Sequence, residues 1–308
     1  MNDKCYRVSG RQLWQWHQEA REAAIAANVP ANEIDILLQE FAGLDRLALR
    51  LESFKDWPQI DLQLPFQELS QRWQQRIERR VPIQYLIGVA YWRQFSLTVS
   101  PDVLIPRPGT ECLIDLAVAA VQDVEGESGS QSLSEGHWVD LGTGSGAIAI
   151  ALADAFSTAT IHAVDVSANA LQVAQGNAQR LGFGHRIQFH RGEWWQPLNH
   201  LKHRVSGMVS NPPYIPEDMV PQLQPEIVHH EPHLAIDGGT DGLAYVRHLI
   251  ETAPHYLHPG GIWLVELMID QAPTVVELLQ QQGDYSYIQV HPDLEGIDRF
   301  VLARRREL

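Results

Sequence analysis

The stretch DLGTGSGAIAIALA (residues 140–153) places a strand end, a glycine loop and a helix start in that order. That succession decides the fold. Gly142 permits a tight turn, while Gly144 and Gly146 let a ligand approach the backbone with no Cβ in the way. The helix that follows offers the free N–H groups of its first turn. Asp165, ending IHAVD, lies 23 residues beyond Gly142. A carboxylate at the tip of a second strand is placed to accept both hydroxyls of a ribose. The pattern calls for an adenosine-containing cofactor without choosing one. Read as Gly142-x-Gly144-x-x-Ala147, it also satisfies the relaxed dinucleotide fingerprint. Asp140, just ahead of the loop, favours a cationic ligand. A pyrophosphate beside a carboxylate is repelled in a pocket of low effective dielectric, whereas the sulfonium and ammonium of S-adenosylmethionine are attracted. Trp194, in RGEWW, is a candidate neighbour of the adenine.

Outward from this loop the grammar is α/β. HWVDL, ATIHAVD, RIQFH, VSGMVS and GIWLVEL read as short buried strands, with helical segments such as 167–182 and 243–257 between most of them. Near-continuous apolar strands alternating with helices imply a parallel sheet covered on both faces. YSYIQV and DRFVLAR are separated by too few residues for a helical crossover, so they are expected to pair antiparallel. The polar, Gly/Ser-rich stretch 123–136 reads as a loop. No internal repeat is present.

The first eighty residues read as helices. Ile34, Leu37, Leu38, Phe41, Leu44, Leu47 and Leu51 fall on one face at three- and four-residue spacing, and Leu69, Trp73 and Ile77 repeat the step. The expected organisation is a helical bundle over 1–84, a β-rich connector over 85–106 around YWRQFSLTV, and an α/β domain over 107–308.

Charge narrows the partners. Of the net charge of −15, residues 1–90 carry 11 Lys+Arg and 12 Asp+Glu, or −1, leaving −14 for the remainder. Such an acidic domain repels a phosphate backbone at long range, which leans away from a nucleic-acid substrate. Cys5 and Cys112 are too few for a disulfide framework and too far apart for a zinc site. No apolar run reaches the roughly 18 residues of a membrane span, and MNDKCYRVSG lacks the apolar core of a signal peptide. A cytoplasmic protein is expected, with no membrane partner.

VSNPPYIP (residues 209–216) ends a strand on two prolines. Proline cannot continue a central ladder and holds the chain stiffly extended. In a doubly wound sheet this corner faces the ligand crevice beyond the strands' carboxyl ends. A planar amide or exocyclic amine nitrogen is a poor nucleophile because its lone pair is delocalised; the amide rotation barrier is about 18–20 kcal/mol. The Asn211 side chain and the Pro212 carbonyl supply two acceptors for its two N–H groups. Positive charge develops on that nitrogen as a methyl group arrives, so fixed acceptors favour the transition state. Tyr214 stacks on the π system. No strong base is needed, since the proton leaves after transfer.

Together, VDLGTGSGAIAIALA, VSNPPYIP, IPRPGTE, EPHLAIDGGTDGLAYVRHLIETA and DLEGIDRFVLAR resemble the release factor glutamine N5-methyltransferases, the PrmC/HemK family of class I S-adenosylmethionine-dependent enzymes. The resemblance covers most of the chain. NPPY is shared with adenine and guanine methyltransferases; the IPRPGTE and EPHLAIDGGTDGL segments are the more specific ones. It implies a Rossmann-like, seven-stranded methyltransferase domain with a small N-terminal helical bundle joined by a β-hairpin connector. It also implies methyl transfer to the glutamine of the Gly-Gly-Gln loop in class I peptide chain release factors, with S-adenosylhomocysteine as product. Carried over by position, Gly142, Thr143, Gly144, Ser145, Gly146, Asp165 and Trp194 hold the cofactor, with Asp140 added from the charge argument. Asn211, Pro212, Pro213 and Tyr214 hold the glutamine, with Asn211 near both ligands. The helical bundle grips the factor, and a monomer is expected. Gly109 and Met268 depart from the usual acidic residue and glycine. His229, His230 and His233 belong to a family-typical loop, so no metal is expected. Two alternatives use parts of the same pattern: an amino-methyltransferase acting on RNA or DNA, and a dinucleotide-dependent oxidoreductase, which leaves NPPY unexplained.

Overall fold

Gly43, at φ 62°, stops the first of the helices that the spacing from Ile34 predicts. In the computed structural model, which describes residues 6–125 and 132–307, this glycine divides what reads as one apolar face. Helix α1 (Gly10–Ala26) is capped by the Ser9 hydroxyl, and α2 (Glu33–Ala42) buries Ile34, Leu37, Leu38 and Phe41. Asp45 then caps a new helix, α3 (Arg46–Leu51), on which Leu47 and Leu51 are 64% and 66% exposed. A left-handed glycine followed by a capping aspartate restarts the helical phase, so the apolar count does not carry across. Helices α4 (Phe66–Arg79) and α5 (Ile83–Ile87) complete the bundle, with Leu69 and Trp73 buried. The helical reading misses two strands, β1 (Tyr6–Val8) and β2 (Ile60–Leu62), which pair antiparallel. Three residues are too few to display a period of two.

This helical unit spans Met1–Gly88 and also contains Pro225–His230. Arg76 holds that distant segment. Its nearly buried guanidinium donates to Glu33 and, at 2.8 Å, to Glu226 Oε1. Cys5 lies outside the described residues, and Cys112 is a free thiol.

The second unit comprises Val89–Gln224 and Glu231–Leu308. Its first elements are the expected hairpin, β3 (Val89–Trp92) and β4 (Phe95–Thr98), joined through Arg93 at φ 50°. Then follow α6 (Cys112–Glu125), β5 (His137–Leu141), α7 (Ala147–Ala155), β6 (Thr160–Asp165), α8 (Ala168–Arg180), β7 (Ile187–Arg191) and β8 (Val205–Ser210). The last are α9 (Ala244–Thr252), β9 (Leu257–Glu266), α10 (Ala272–Gln282), β10 (Tyr285–Pro292) and β11 (Asp298–Arg305). Of the stretch expected as a loop, α6 takes the start through Glu125, and residues 126–131 lie outside the described ones.

Seven strands form one sheet in the order β10-β11-β9-β8-β5-β6-β7. From β9 to β7 neighbours run parallel, while β11 pairs antiparallel with both β9 and β10. This is the mixed seven-stranded methyltransferase sheet of the expected Rossmann-like class. Successive strand residues point to opposite faces, so Trp138 enters the core beneath α6 and α7 while Val139 enters the core on the other face. Chain order reverses at β5: β6 and β7 extend one way, β8 and β9 the other. The carboxyl ends of β5 and β8 flank the reversal, where ligands enter open α/β sheets.

Candidate active site

A cavity of about 270 Å³ opens at that reversal. Of the residues singled out in the sequence, Gly142, Gly144, Asp165, Trp194, Asn211 and Pro213 line it. Asp140, Thr143, Ser145, Gly146, Pro212 and Tyr214 are not among the lining residues.

The glycine loop is fixed from below. Gly142 and Thr143 both donate their N–H to the Val164 carbonyl at 2.9 Å. Gly144 adopts φ 53° with open space where a Cβ would project, so its backbone is bare toward a ligand. Its N–H donates to Asp165 Oδ2 at 2.9 Å, and Ser167 N–H donates to Oδ1 at the same distance. Burial pushes the Asp165 carboxyl up while these two N–H groups hold it down. Each oxygen keeps a lone pair, which suits the two hydroxyls of a ribose.

Asp140 has a different place from the one its charge suggests. It is fully buried, and its Oδ2 accepts the Thr143 hydroxyl at 2.6 Å and the Ala149 N–H at 3.0 Å. It thus caps α7 in place of Gly146, which has no side chain to do so. One of the helix N–H groups that the sequence offers to a ligand is therefore spent on Asp140. Burial raises its pKa to about 7. The acidic lining comes instead from Asp102, Asp165 and Glu193, and among the described residues no Lys or Arg lines the cavity. This donor set fits a cationic sulfonium ligand carrying a ribose and disfavours a pyrophosphate. Trp194, held at φ 48°, places its indole 5.2 Å from the Tyr245 ring at a tilt of 44°, and both rings line the cavity.

The NPPY corner is tied at both ends. Asn211 donates from Nδ2 to Thr110 Oγ1 at 3.2 Å. Among the described residues no hydrogen bond occupies Asn211 Oδ1 or the Pro212 carbonyl, the two acceptors that the sequence nominates. The Tyr214 hydroxyl donates to Glu266 Oε1 at 3.2 Å, and its carbonyl accepts from Gln271 Nε2 at 2.9 Å. Burial and the Glu266 carboxylate push the Tyr214 phenol pKa upward, so the hydroxyl stays protonated. The segment after the corner forms a parallel bridge between Ile215 and Asp237, reinforced by Gly238 N–H to the Ile215 carbonyl at 2.8 Å.

The two most specific sequence segments meet here. Arg107, of IPRPGTE, donates from Nη2 to both Glu231 oxygens at 2.7 Å, and Glu231 opens EPHLAIDGG. Gly109 has free space around its missing Cβ, so the departure from an acidic residue leaves the turn undisturbed. Met268 contributes its backbone N–H to Gln271 Oε1 at 3.0 Å, a role independent of its side chain. Among the described residues no group of three or more His, Cys, Asp or Glu is arranged to hold a metal, and no helix is long and apolar enough to cross a membrane.

Sequence reasoning does not find Thr110, Glu266, Asp102 or Glu193. Glu193 adjoins Trp194 in RGEWW, and Thr110 lies in IPRPGTE, so both stand in stretches already marked. Glu266 ends an apolar strand, and a lone acid there carries no periodic signal.

A family model described as a methyltransferase domain matches residues 133–283. The chain is 52% identical over 297 residues to a release factor glutamine methyltransferase of Synechocystis sp., covering 96% of this chain and 97% of that one. To a protein of the same name from Thermosynechococcus vestitus it is 46% identical over 96% of this chain and 99% of the other. Among solved structures, the catalytic domain of hMettl16 in complex with a MAT2A 3′UTR hairpin superposes with a TM-score of 0.52 at 14% identity, over 78% of this chain and 79% of that one, a likeness of fold alone. At these identities, over nearly the whole length of both curated relatives, the chain belongs to the release factor glutamine methyltransferase family.

Proposed function

We propose that this chain transfers a methyl group from S-adenosylmethionine to the side-chain amide nitrogen of the glutamine in the Gly-Gly-Gln loop of class I peptide chain release factors, in the cytoplasm. The observation that carries this reading is the pairing of two features in one crevice. Among the described residues, one is an acid-lined cavity with no Lys or Arg in its lining; the other is a corner whose Asn211 Oδ1 and Pro212 carbonyl accept no hydrogen bond from the protein.

The cofactor supplies an electrophilic methyl group on a sulfonium and leaves as neutral S-adenosylhomocysteine. Asp165 accepts from its ribose, Trp194 flanks its adenine, and the bare Gly142–Gly144 backbone admits the rest. Thr143, Ser145, Gly146 and Asp140 shape the loop from behind. Asn211 Oδ1 and the Pro212 carbonyl take the two amide N–H groups of the glutamine and orient its nitrogen. Tyr214 holds the amide plane, and Pro213 closes the wall between the two ligands. The amide proton passes to water after the nitrogen–carbon bond has formed. The helical unit holds the body of the factor.

The test is transfer of labelled methyl to a purified release factor, followed by peptide mass mapping. Label on the Gly-Gly-Gln glutamine is expected. Label on RNA or DNA with none on the factor would overturn the reading. Calorimetry with S-adenosylmethionine and NAD separates the cofactors, and binding of the former alone is expected.

A further inference from the structure

We propose that Arg107 and Glu231 are positioning residues for the cofactor: their ion pair fixes one end of the strap 232–235, which forms part of the cavity wall. Pro232, Leu234 and Ala235 line that cavity. None of the three residues in the turn His233–Ala235 is buried, and Leu234 is 56% exposed. A segment with so little apolar burial opens locally at low cost, so its place is set by its two ends. The far end is the bridge between Asp237 and Ile215. The near end is Glu231, whose side chain is 1% exposed and whose two oxygens both accept from Arg107 Nη2 at 2.7 Å.

Arg107 is itself held. Its carbonyl accepts from the indole Nε1 of the buried Trp92, in β3, at 2.9 Å and from the Thr110 N–H at 3.2 Å. Three residues earlier, Leu104 also lines the cavity. The guanidinium thus ties the strap to a segment already pinned to the hairpin. Exposed ion pairs contribute little, but here the carboxylate is buried. Burial pushes the Glu231 carboxyl up, and the Arg107 charge opposes that shift. A buried acid keeps its charge only beside such a partner. The two halves of Arg107 have separate tasks. Its side chain holds Glu231, while its carbonyl holds the Thr110 turn, on which Asn211 rests. Loss of the ion pair therefore loosens the cofactor wall and leaves the Asn211 corner in place.

This inference rests on the methyl-transfer reading above. Its test uses the full-length chain with Glu231→Gln, which keeps the shape. Because Nη2 touches both oxygens, the new amide nitrogen meets it donor against donor. Calorimetry is expected to show S-adenosylmethionine binding weaker by roughly tenfold, the scale of one lost charged hydrogen bond. At saturating cofactor, kcat on the release factor is expected within about threefold of the parent. That split marks the loss of binding common to ground and transition states, which a general loss of structure does not produce. Hydrogen exchange gives a readout without any ligand. The Ala235 and Ile236 N–H groups, which donate to the Pro232 and His233 carbonyls, are expected to exchange faster in the variant. Should Glu231→Gln fail to fold, Arg107→Met/Glu231→Leu carries the same readouts, since it removes both charges and leaves no buried carboxylate unpaired. Unchanged cofactor affinity, or a kcat loss as large as the affinity loss, overturns the inference. A parent enzyme that binds no S-adenosylmethionine or methylates no release factor overturns the functional reading instead, and the exchange rates still decide whether the ion pair holds the strap.

Discussion

A Cβ built on Gly242 would lie 2.3 Å from the carbonyl oxygen of Tyr214. The last glycine of DGGTDGL is therefore required by close approach to the NPPY corner, in addition to its φ of 74°. Gly260 shares the conformation, at φ 78°, but has open space around it. Gly260→Ala is expected to cost about 1–2 kcal/mol, the left-handed penalty alone. Gly242→Ala should cost about 1–3 kcal/mol more, since overpacking is added, and should lower methyl transfer as well. Urea midpoints of the two variants check this; equal losses with full activity in both would show that Tyr214 tolerates the displacement.

Asn211→Ala removes the free Oδ1. It is expected to lower kcat by roughly 10²–10³-fold, the usual loss on deleting one fixed group that stabilises developing charge, with the circular dichroism spectrum unchanged. A rate within threefold of the parent would refute the acceptor role.

Asp165→Ala deletes a carboxylate whose two oxygens are already oriented by Gly144 and Ser167. Charged hydrogen bonds of this kind contribute about 1.5–3 kcal/mol each. Calorimetry should therefore show S-adenosylmethionine binding at least roughly tenfold weaker. Undiminished affinity would remove the ribose from this strand tip.

Three histidines cross the sheet in a chain: His137 Nδ1 to His162 Nε2 and His162 Nδ1 to His190 Nε2, each 3.0 Å. Burial lowers the pKa of all three, that of His162 to about 3 from an ordinary 6.5. The unfolded chain therefore takes up protons first as pH falls. Stability is fully present above pH 6.5 and declines as pH drops toward 3. His162 alone should account for about 2 kcal/mol between pH 7 and 5. His162→Phe is expected to lose less stability over that interval, whatever its stability at pH 7. An identical loss in both proteins would place the acid sensitivity elsewhere.

In the helical unit, Arg76→Met leaves the part-buried Glu33 carboxylate unpaired, while Glu226 keeps Arg80. Removing one partner of a buried ion pair costs about 3–5 kcal/mol. The double variant Arg76→Met/Glu33→Leu should recover part of that loss. Denaturant titrations of both proteins test it, and a double variant no more stable than Arg76→Met would contradict the unpaired-charge account.

The sequence determined this fold wherever the signal was local and repeated. The strand–glycine–helix succession at Asp140, the apolar strands and the short link between the last two strands each follow from one stretch of chain, because period and turn chemistry are local properties. The same holds for the NPPY corner, whose prolines dictate their own backbone. Where phase was interrupted, as at Gly43, counting along the chain failed, since a left-handed residue resets the helix. Asp140 shows a second limit. Its charge is legible, but whether it faces a ligand or caps a helix depends on which way β5 turns its residues. Only the tertiary structure decided that Thr110 and Glu266, 101 residues before Asn211 and 52 after Tyr214, stand behind the corner. Hydrogen-bond direction and burial arise from packing between distant segments, and no spacing within either segment encodes them.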